Sequence, residues 1–215
     1  MLPAVLRDWR GFFMPGGVMT DRVVVFLDYQ NVHLGAHECF GAGLEPYTTL
    51  VHPLSVAERI VAKRKHGGTL QEVKVFRGQP NPQHEPTLAA ANDAQSAAWS
   101  RDPRVTMVRR PLNYRGWPSE RPREKGVDVA LAISLVETAL LAQYDAAVVF
   151  TNDTDLLPAI EMAFRRTRPM IEIAAWVGKK PLWFPEERKM KRYLPFCHFL
   201  SEVDFEDVRD RATYI

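Results

Sequence analysis

Acidic residues stand where strand-like runs end. Leu27-Asp28-Tyr29-Gln30-Asn31 closes the run Arg22–Asp28, and Thr151-Asn152-Asp153-Thr154-Asp155 closes the run Ala146–Thr151. A third position, Asp128, opens a helical stretch, where a step of about 100° per residue aligns it with Leu131, Ala132, Leu135, Ala139 and Ala142. Helix capping accounts for one acid per turn, and a first-turn Asp favours the helix dipole. Capping accounts less well for Asp153 and Asp155 together, because like charges so close repel unless a cation lies between them. A lone carboxylate on an apolar stripe is also costly unless it is paired or bound to metal. Four carboxylates with few histidines suit a hard, oxygen-preferring cation, Mg²⁺ or Mn²⁺. The chemistry most served by such a cluster is phosphoryl or phosphodiester transfer, in which the ion activates water and neutralises charge on the phosphate.

These acids need a scaffold that brings separate chain segments to one rim. Arg22–Asp28 and Ala146–Thr151 read as central strands, and Glu72–Phe76, Arg104–Val108 and Met170–Val177 as three more. Helical spacing covers Leu54–Lys65, Leu88–Ser100, Val127–Gln143 and Asp155–Arg166. Arg109–Lys125, with its prolines and Gly116, reads as a long loop. The tail Gly178–Ile215 reads as a short helix, a short strand near Phe196–Leu200 and a solvated acidic helix from Asp204. Strands alternating with helices predict a three-layer α/β/α fold, a parallel sheet of about five strands with helices on both faces. In such sheets the ligand sits at the carboxyl ends of the strands, near a switch in strand order.

Two segments are basic. Arg101–Lys125 carries a local charge of +5 with Tyr114 and Trp117, and Arg165–Arg192 carries +6 with Trp176, Trp183 and Phe184. Basic groups interleaved with aromatics can track a phosphate backbone and stack bases. Taken singly, such residues are more often solvated charges and core anchors. Together they suggest a substrate groove beside the acids, with Lys125, Arg109, Arg110 and Arg115 on phosphates and Arg165–Arg192 as the alternative. His33 and His37 lie one helical turn apart near Glu38, but no third zinc ligand stands out. Asn92, Gln95 and Trp99 share a helix face, open to ordinary packing or to a seam at a groove or homodimer.

The ordered trio of motifs resembles the NYN domains of the PIN-like nuclease superfamily. Phe26-Leu27-Asp28-Tyr29-Gln30-Asn31 comes first, then Glu124-Lys125-Gly126-Val127-Asp128-Val129-Ala130-Leu131, then Thr151-Asn152-Asp153-Thr154-Asp155-Leu156-Leu157-Pro158. The likeness spans roughly Asp21 to Val177. It implies a PIN-like fold and a Mg²⁺- or Mn²⁺-dependent nuclease, usually acting on RNA. Carried over by position, Asp28, Asp128, Asp153 and Asp155 would form the metal site, with Asn31 a polar partner of Asp28. Ser134 stands where many members have a further Asp, and Thr151-Asn152 replaces Ser-Gly. Ser134 also supports a second reading, a non-catalytic or weakly active RNA-binding module of the same fold.

Other classes fit less well. The first strand is not followed by G-x-G-x-x-G, a serine nucleophile elbow is absent, and Gln30 replaces the second acid of a haloacid-dehalogenase-type phosphatase. The net charge of +2 is too small to prove a nucleic-acid partner by itself. Cys39 and Cys197, with no metal-like spacing, exclude a disulfide scaffold, and a cytoplasmic setting is the expectation. No apolar run approaches the roughly 18–20 residues of a membrane helix. Residues 1–18 lack a signal-peptide pattern. They read equally as an extension ahead of a start at Met19 or as an arm packing Trp9, Phe12 and Phe13. The expected organisation is thus 1–18 extension, 19–177 nuclease domain and 178–215 elements packed on it.

Overall fold

A computed structural model describes residues 20–214, so the two readings of residues 1–18 lie outside the described residues. The chain builds one parallel sheet. Its strands are β1 (Arg22–Asp28), β2 (Thr69–Gln79), β3 (Val105–Pro111), β4 (Ala146–Phe150), β5 (Met170–Trp176) and β6 (Cys197–Leu200), in the order β3-β2-β1-β4-β5-β6. The helices are α1 (Tyr29–Phe40), α2 (Pro53–Ala62), α3 (Pro86–Trp99), α4 (Val127–Leu140), α5 (Leu157–Arg166), α6 (Pro185–Lys189) and α7 (Glu202–Val208). The sheet therefore has six strands rather than about five. The short run Cys197–Leu200 completes it by pairing with β5 from Ile173↔Cys197 to Trp176↔Leu200.

Strand periodicity divides the core in two. Val23, Val25 and Leu27 of β1 face the layer holding α1, α2 and α7, with Trp99 of α3, while Val24 and Phe26 face α4 and α5. Because both faces are covered, β1 and β4 read as unbroken apolar runs and are buried throughout except for Arg22. The chain leaves β1 toward β2 on one side and β4 toward β5 on the other. The switch point lies between them, and Asp28 and Thr151 stand at its mouth.

Several expectations change. Tyr29–Phe40 is helical, although it had no assigned element. β2 runs on to Gln79 and draws Arg109 and Arg110 into the ladder (Arg77↔Arg109, Gly78↔Arg110), so the loop begins only after Pro111. The acidic tail is not a solvated helix. Asp204 is buried, completes a capping box with Ser201 and pairs with Arg59 (2.5 Å) and Lys63 (2.6 Å). Asp210 is buried as well and accepts from the Trp99 indole at 2.8 Å. Among the described residues no helix is long and apolar enough to cross a membrane.

Candidate active site

Asp28 is 5 % exposed at the end of β1. It occupies the N-cap position of α1, but its side chain makes no cap hydrogen bond. Two donors hold it instead. Asn31 Nδ2 donates to Oδ2 at 2.7 Å and Thr151 Oγ1 donates to the same oxygen at 2.8 Å. Asn31 reaches it because three residues along α1 place the amide one turn above. Thr151 also accepts from the Asp153 backbone amide at 3.0 Å. One hydroxyl thus couples the loops after β1 and β4, so threonine here keeps a polar link.

Asp153 does cap: its Oδ1 accepts from the Asp155 amide at 2.9 Å at the head of a single 3-10 turn, Thr154–Leu156. The capping explanation therefore holds for one oxygen of Asp153. Asp155 itself is exposed. Asp128 lies in the first turn of α4 and is half-buried, at the margin of the apolar stripe formed by Leu131, Leu135 and Ala139.

Sequence reasoning missed Glu124. Its Oε1 accepts from the Gly78 amide at 2.6 Å. The Gln30 carboxamide, with nitrogen turned toward it, donates to both oxygens at 2.9 and 3.0 Å. A Cβ at Gly78 would lie 2.9 Å from Glu124 Oε1 and displace the end of Leu112, so any larger residue here would shift the Glu124 side chain. The available signal was an acid two residues before a helix-opening Gly126, held in the left-handed conformation at φ 74°.

The electrostatics tie these groups together. Burial pushes the Asp28 carboxyl above its ordinary range; the Thr151 and Asn31 hydrogen bonds oppose this and the charge of Asp153 adds to it. Burial also raises Glu124, and the charges of Asp28 and Asp128 raise it further against the pull of Gly78 and Arg77. Asp28 thus interacts with Asp153, and Glu124 with both Asp28 and Asp128. Among the described residues no three such side chains are yet placed to close on one ion. Mutual repulsion opposes tighter convergence, and a cation would relieve it. The donors are oxygens, two of the carboxylates pushed toward protonation chiefly by burial, and that set fits a hard divalent ion.

The basic residues divide. Arg109 pairs with Asp93 and also donates to Asn92 at 3.4 Å. Arg110, Arg115 and Lys125 are exposed. Tyr114 is engaged with the connection between β2 and α3, donating to Glu85 at 2.6 Å and stacking on His84 at 4.5 Å. A groove of about 910 Å³ opens instead beside Gln30 and Asn31, bordered by Lys179, Lys180, Arg188 and Lys189 of the second basic segment. His33 and His37 meet the Thr49 hydroxyl at 3.4 and 3.2 Å and tie α1 to the turn Pro46–Thr49. Asn92, Gln95 and Trp99 are buried in packing, bonded to Gly78, Arg77 and Asp210.

The fold is of a PIN-like class: a parallel sheet in a three-layer α/β/α arrangement, here with acidic residues at its switch point. The NYN domain model matches residues 22–182, and the chain belongs to that family of PIN-like nucleases. A search of the curated proteins found no match. Among solved structures, the chain is similar to a protein of unknown function from Vibrio parahaemolyticus. The two are 13% identical with a TM-score of 0.51, over 86% of this chain and 95% of that one, a likeness of fold.

Glu124→Gln is expected to lower the cleavage rate by about 10–100-fold with little change in melting temperature, as for the outer partners of a metal site. Initial rates at saturating Mn²⁺ check it. A rate equal to wild type would remove Glu124 from the cluster.

Proposed function

We propose that this NYN domain is a Mg²⁺- or Mn²⁺-dependent endoribonuclease that hydrolyses RNA phosphodiester bonds at the rim between β1 and β4. The observation that carries the reading is the buried Asp28 at the end of β1, its Oδ2 held by Asn31 and Thr151, with Asp153 and Asp155 following the adjacent strand β4. A buried carboxylate at a strand-order switch, with further acids beside it, is costly unless it serves a positive ligand.

Asp28, Asp128, Asp153 and Asp155 would hold the cation, with Glu124 beside them. What such an ion supplies when bound is charge neutralisation on the phosphate and a water of lowered pKa. Asn31 and Thr151 fix the Asp28 carboxylate so that it does not reorganise during the reaction. Gln30 and Gly78 do the same for Glu124. Arg110, Arg115 and Lys125 are exposed and open to backbone phosphates, and Arg109 would first have to leave Asp93. A cytoplasmic setting accords with two free cysteines.

A second reading, a weakly active RNA-binding module, draws on Ser134 and on the spread of the carboxylates. One assay separates the two. Labelled single-stranded RNA, duplex RNA and DNA are incubated with the protein in Mg²⁺, Mn²⁺ or EDTA. Internal cleavage of RNA only with a cation is the expected result. RNA binding without cleavage under any metal would select the second reading.

A further inference from the structure

α4 carries an apolar stripe on the side away from the sheet. Leu131, Leu135 and Ala139 are buried in the core, while Val129, Ile133 and Leu140 are exposed and Val136 is half-buried between them. Ile133 is 62 % exposed and Leu141, just past the helix, 61 %. Val129, Ile133, Val136 and Leu140 follow one another at steps of four, three and four residues, the spacing of a helix-packing seam. The charged residues of α4 are Asp128, in its first turn, and the exposed Glu137, which borders Ile133 and Leu140. A continuous apolar stripe on the outside of a domain marks a contact surface.

The chain ahead of the described residues carries a matching pattern. Leu2, Leu6, Trp9 and Phe13 repeat the steps of four, three and four. Val5 and Phe12 widen that stripe to an arc of about 120°, at about 100° per residue. Pro3 suits a first helical turn, and Pro15-Gly16-Gly17 suits a stop. In helical form each stripe is about 16 Å long. The segment joins the domain beside the end of α4. The Arg22 amide donates to Asp145 Oδ2 at 2.8 Å, and the Arg22 carbonyl accepts from the Asp145 amide at 2.9 Å. Asp145 lies four residues beyond Leu141. Fully extended, Met14–Thr20 reaches about 23 Å, enough to set Phe13 near Leu140 and Leu2 toward Val129.

We propose that residues 2–13 dock on this face of their own chain as an amphipathic helix, Leu2, Leu6, Trp9 and Phe13 packing along Val129, Ile133, Val136 and Leu140. Arg10 borders the first stripe as Glu137 borders the second, so the charges at the rim are opposite. A second copy of the chain is the poorer occupant. A stripe of about 16 by 10 Å falls well short of the roughly 800 Å² per partner that a stable dimer buries. A tethered segment meets its site at an effective concentration in the millimolar range, so a short seam suffices. The inference goes beyond the nuclease reading and does not depend on it.

The test is the initial rate of trypsin cleavage after Arg10 in the full chain, read by mass spectrometry beside a free peptide of residues 1–18. A docked helix must open before it is cut, so the full chain is expected to be cut at least about tenfold more slowly than the peptide. Ile133→Asp and Leu140→Asp, both at exposed positions, should bring the rate to within about threefold of the peptide while the domain keeps its melting temperature. Trp9→Asp should do the same from the other side of the contact, and it decides the matter if either α4 variant fails to fold. Leu88→Asp, at an exposed position of α3 on the opposite layer, should leave the protection intact. Light scattering should show a monomer at every concentration used. Cleavage of wild type as fast as the peptide, or protection that survives Trp9→Asp or both folded α4 variants, would overturn the docking. Protection lost on dilution, with a dimer in light scattering, would assign the face to a second copy instead.

Discussion

Asp28→Asn is expected to reduce RNA cleavage by on the order of 10³-fold or more, the upper range for deleting one preorganised charge at a reacting phosphate. The same variant should melt at a higher temperature than wild type at pH 7 in EDTA. The sign follows from linkage. Burial, with help from Asp153, raises the folded Asp28 above the value of 3.8 it has when unfolded. The folded state then binds more protons across that interval, and stability falls as pH rises through it. At neutral pH the buried charge is a net cost. Asparagine removes the charge while its oxygen still accepts from Asn31 and Thr151. Thermal melts with and without Mn²⁺ check this, with cleavage read in parallel. A large fall in the metal-free melting temperature would make Asp28 a structural residue instead.

The second large effect lies at the far end of the sheet. Arg64 grips Glu172 of β5 with two bonds, Nε to Oε2 at 2.9 Å and Nη2 to Oε1 at 3.0 Å, and His198 of β6 meets Oε2 at 2.7 Å. Arg64 also donates to Asp21 at 3.0 Å, so one guanidinium joins the end of α2, the start of β1 and the outer strands. Glu172→Ala leaves the buried guanidinium with only the half-buried Asp21 as a carboxylate partner. Breaking such a pair costs about 3–5 kcal/mol, or about 6–20 °C of melting temperature in a chain of this size. Burial pushes the Glu172 carboxyl up, but bonds from His198 and Arg64 and the Arg64 charge outweigh it and hold it below 4.5. The stability it contributes is therefore present above about pH 4.5 and fades as pH falls through the lowered folded value. Melts from pH 3 to pH 7 measure it, and a pH dependence unchanged by Glu172→Gln would refute the linkage.

How much of this was legible in the chain follows from where the signals are local. Arg22–Asp28 and Ala146–Phe150 announce themselves because a strand covered on both faces must be apolar throughout. The acids after them then fall on one rim by topology alone. α1 was hidden because its interior holds Gly35, His33 and His37, and its buried face rests on Tyr29, Val32 and Ala36. Glu124 was hidden because its partners, Gly78 and Gln30, come from distant segments, and only the ladder reaching Gln79 brings them together. Asp204 and Asp210 look solvated in an acidic tail, yet Arg59, Lys63 and Trp99 lie more than a hundred residues away in sequence. The groove shows the same limit: net charge was equally visible in both basic segments, but which one borders the cluster depends on where β5 ends.

The account turns on whether these carboxylates bind a divalent ion, and calorimetric titration of Mn²⁺ into the full chain tests that most directly. Saturable binding by wild type is predicted, weakened by about 10–100-fold or more in Asp153→Asn while the variant keeps its melting temperature. Folded wild-type protein with no saturable uptake, or an affinity unchanged by Asp153→Asn, would contradict it.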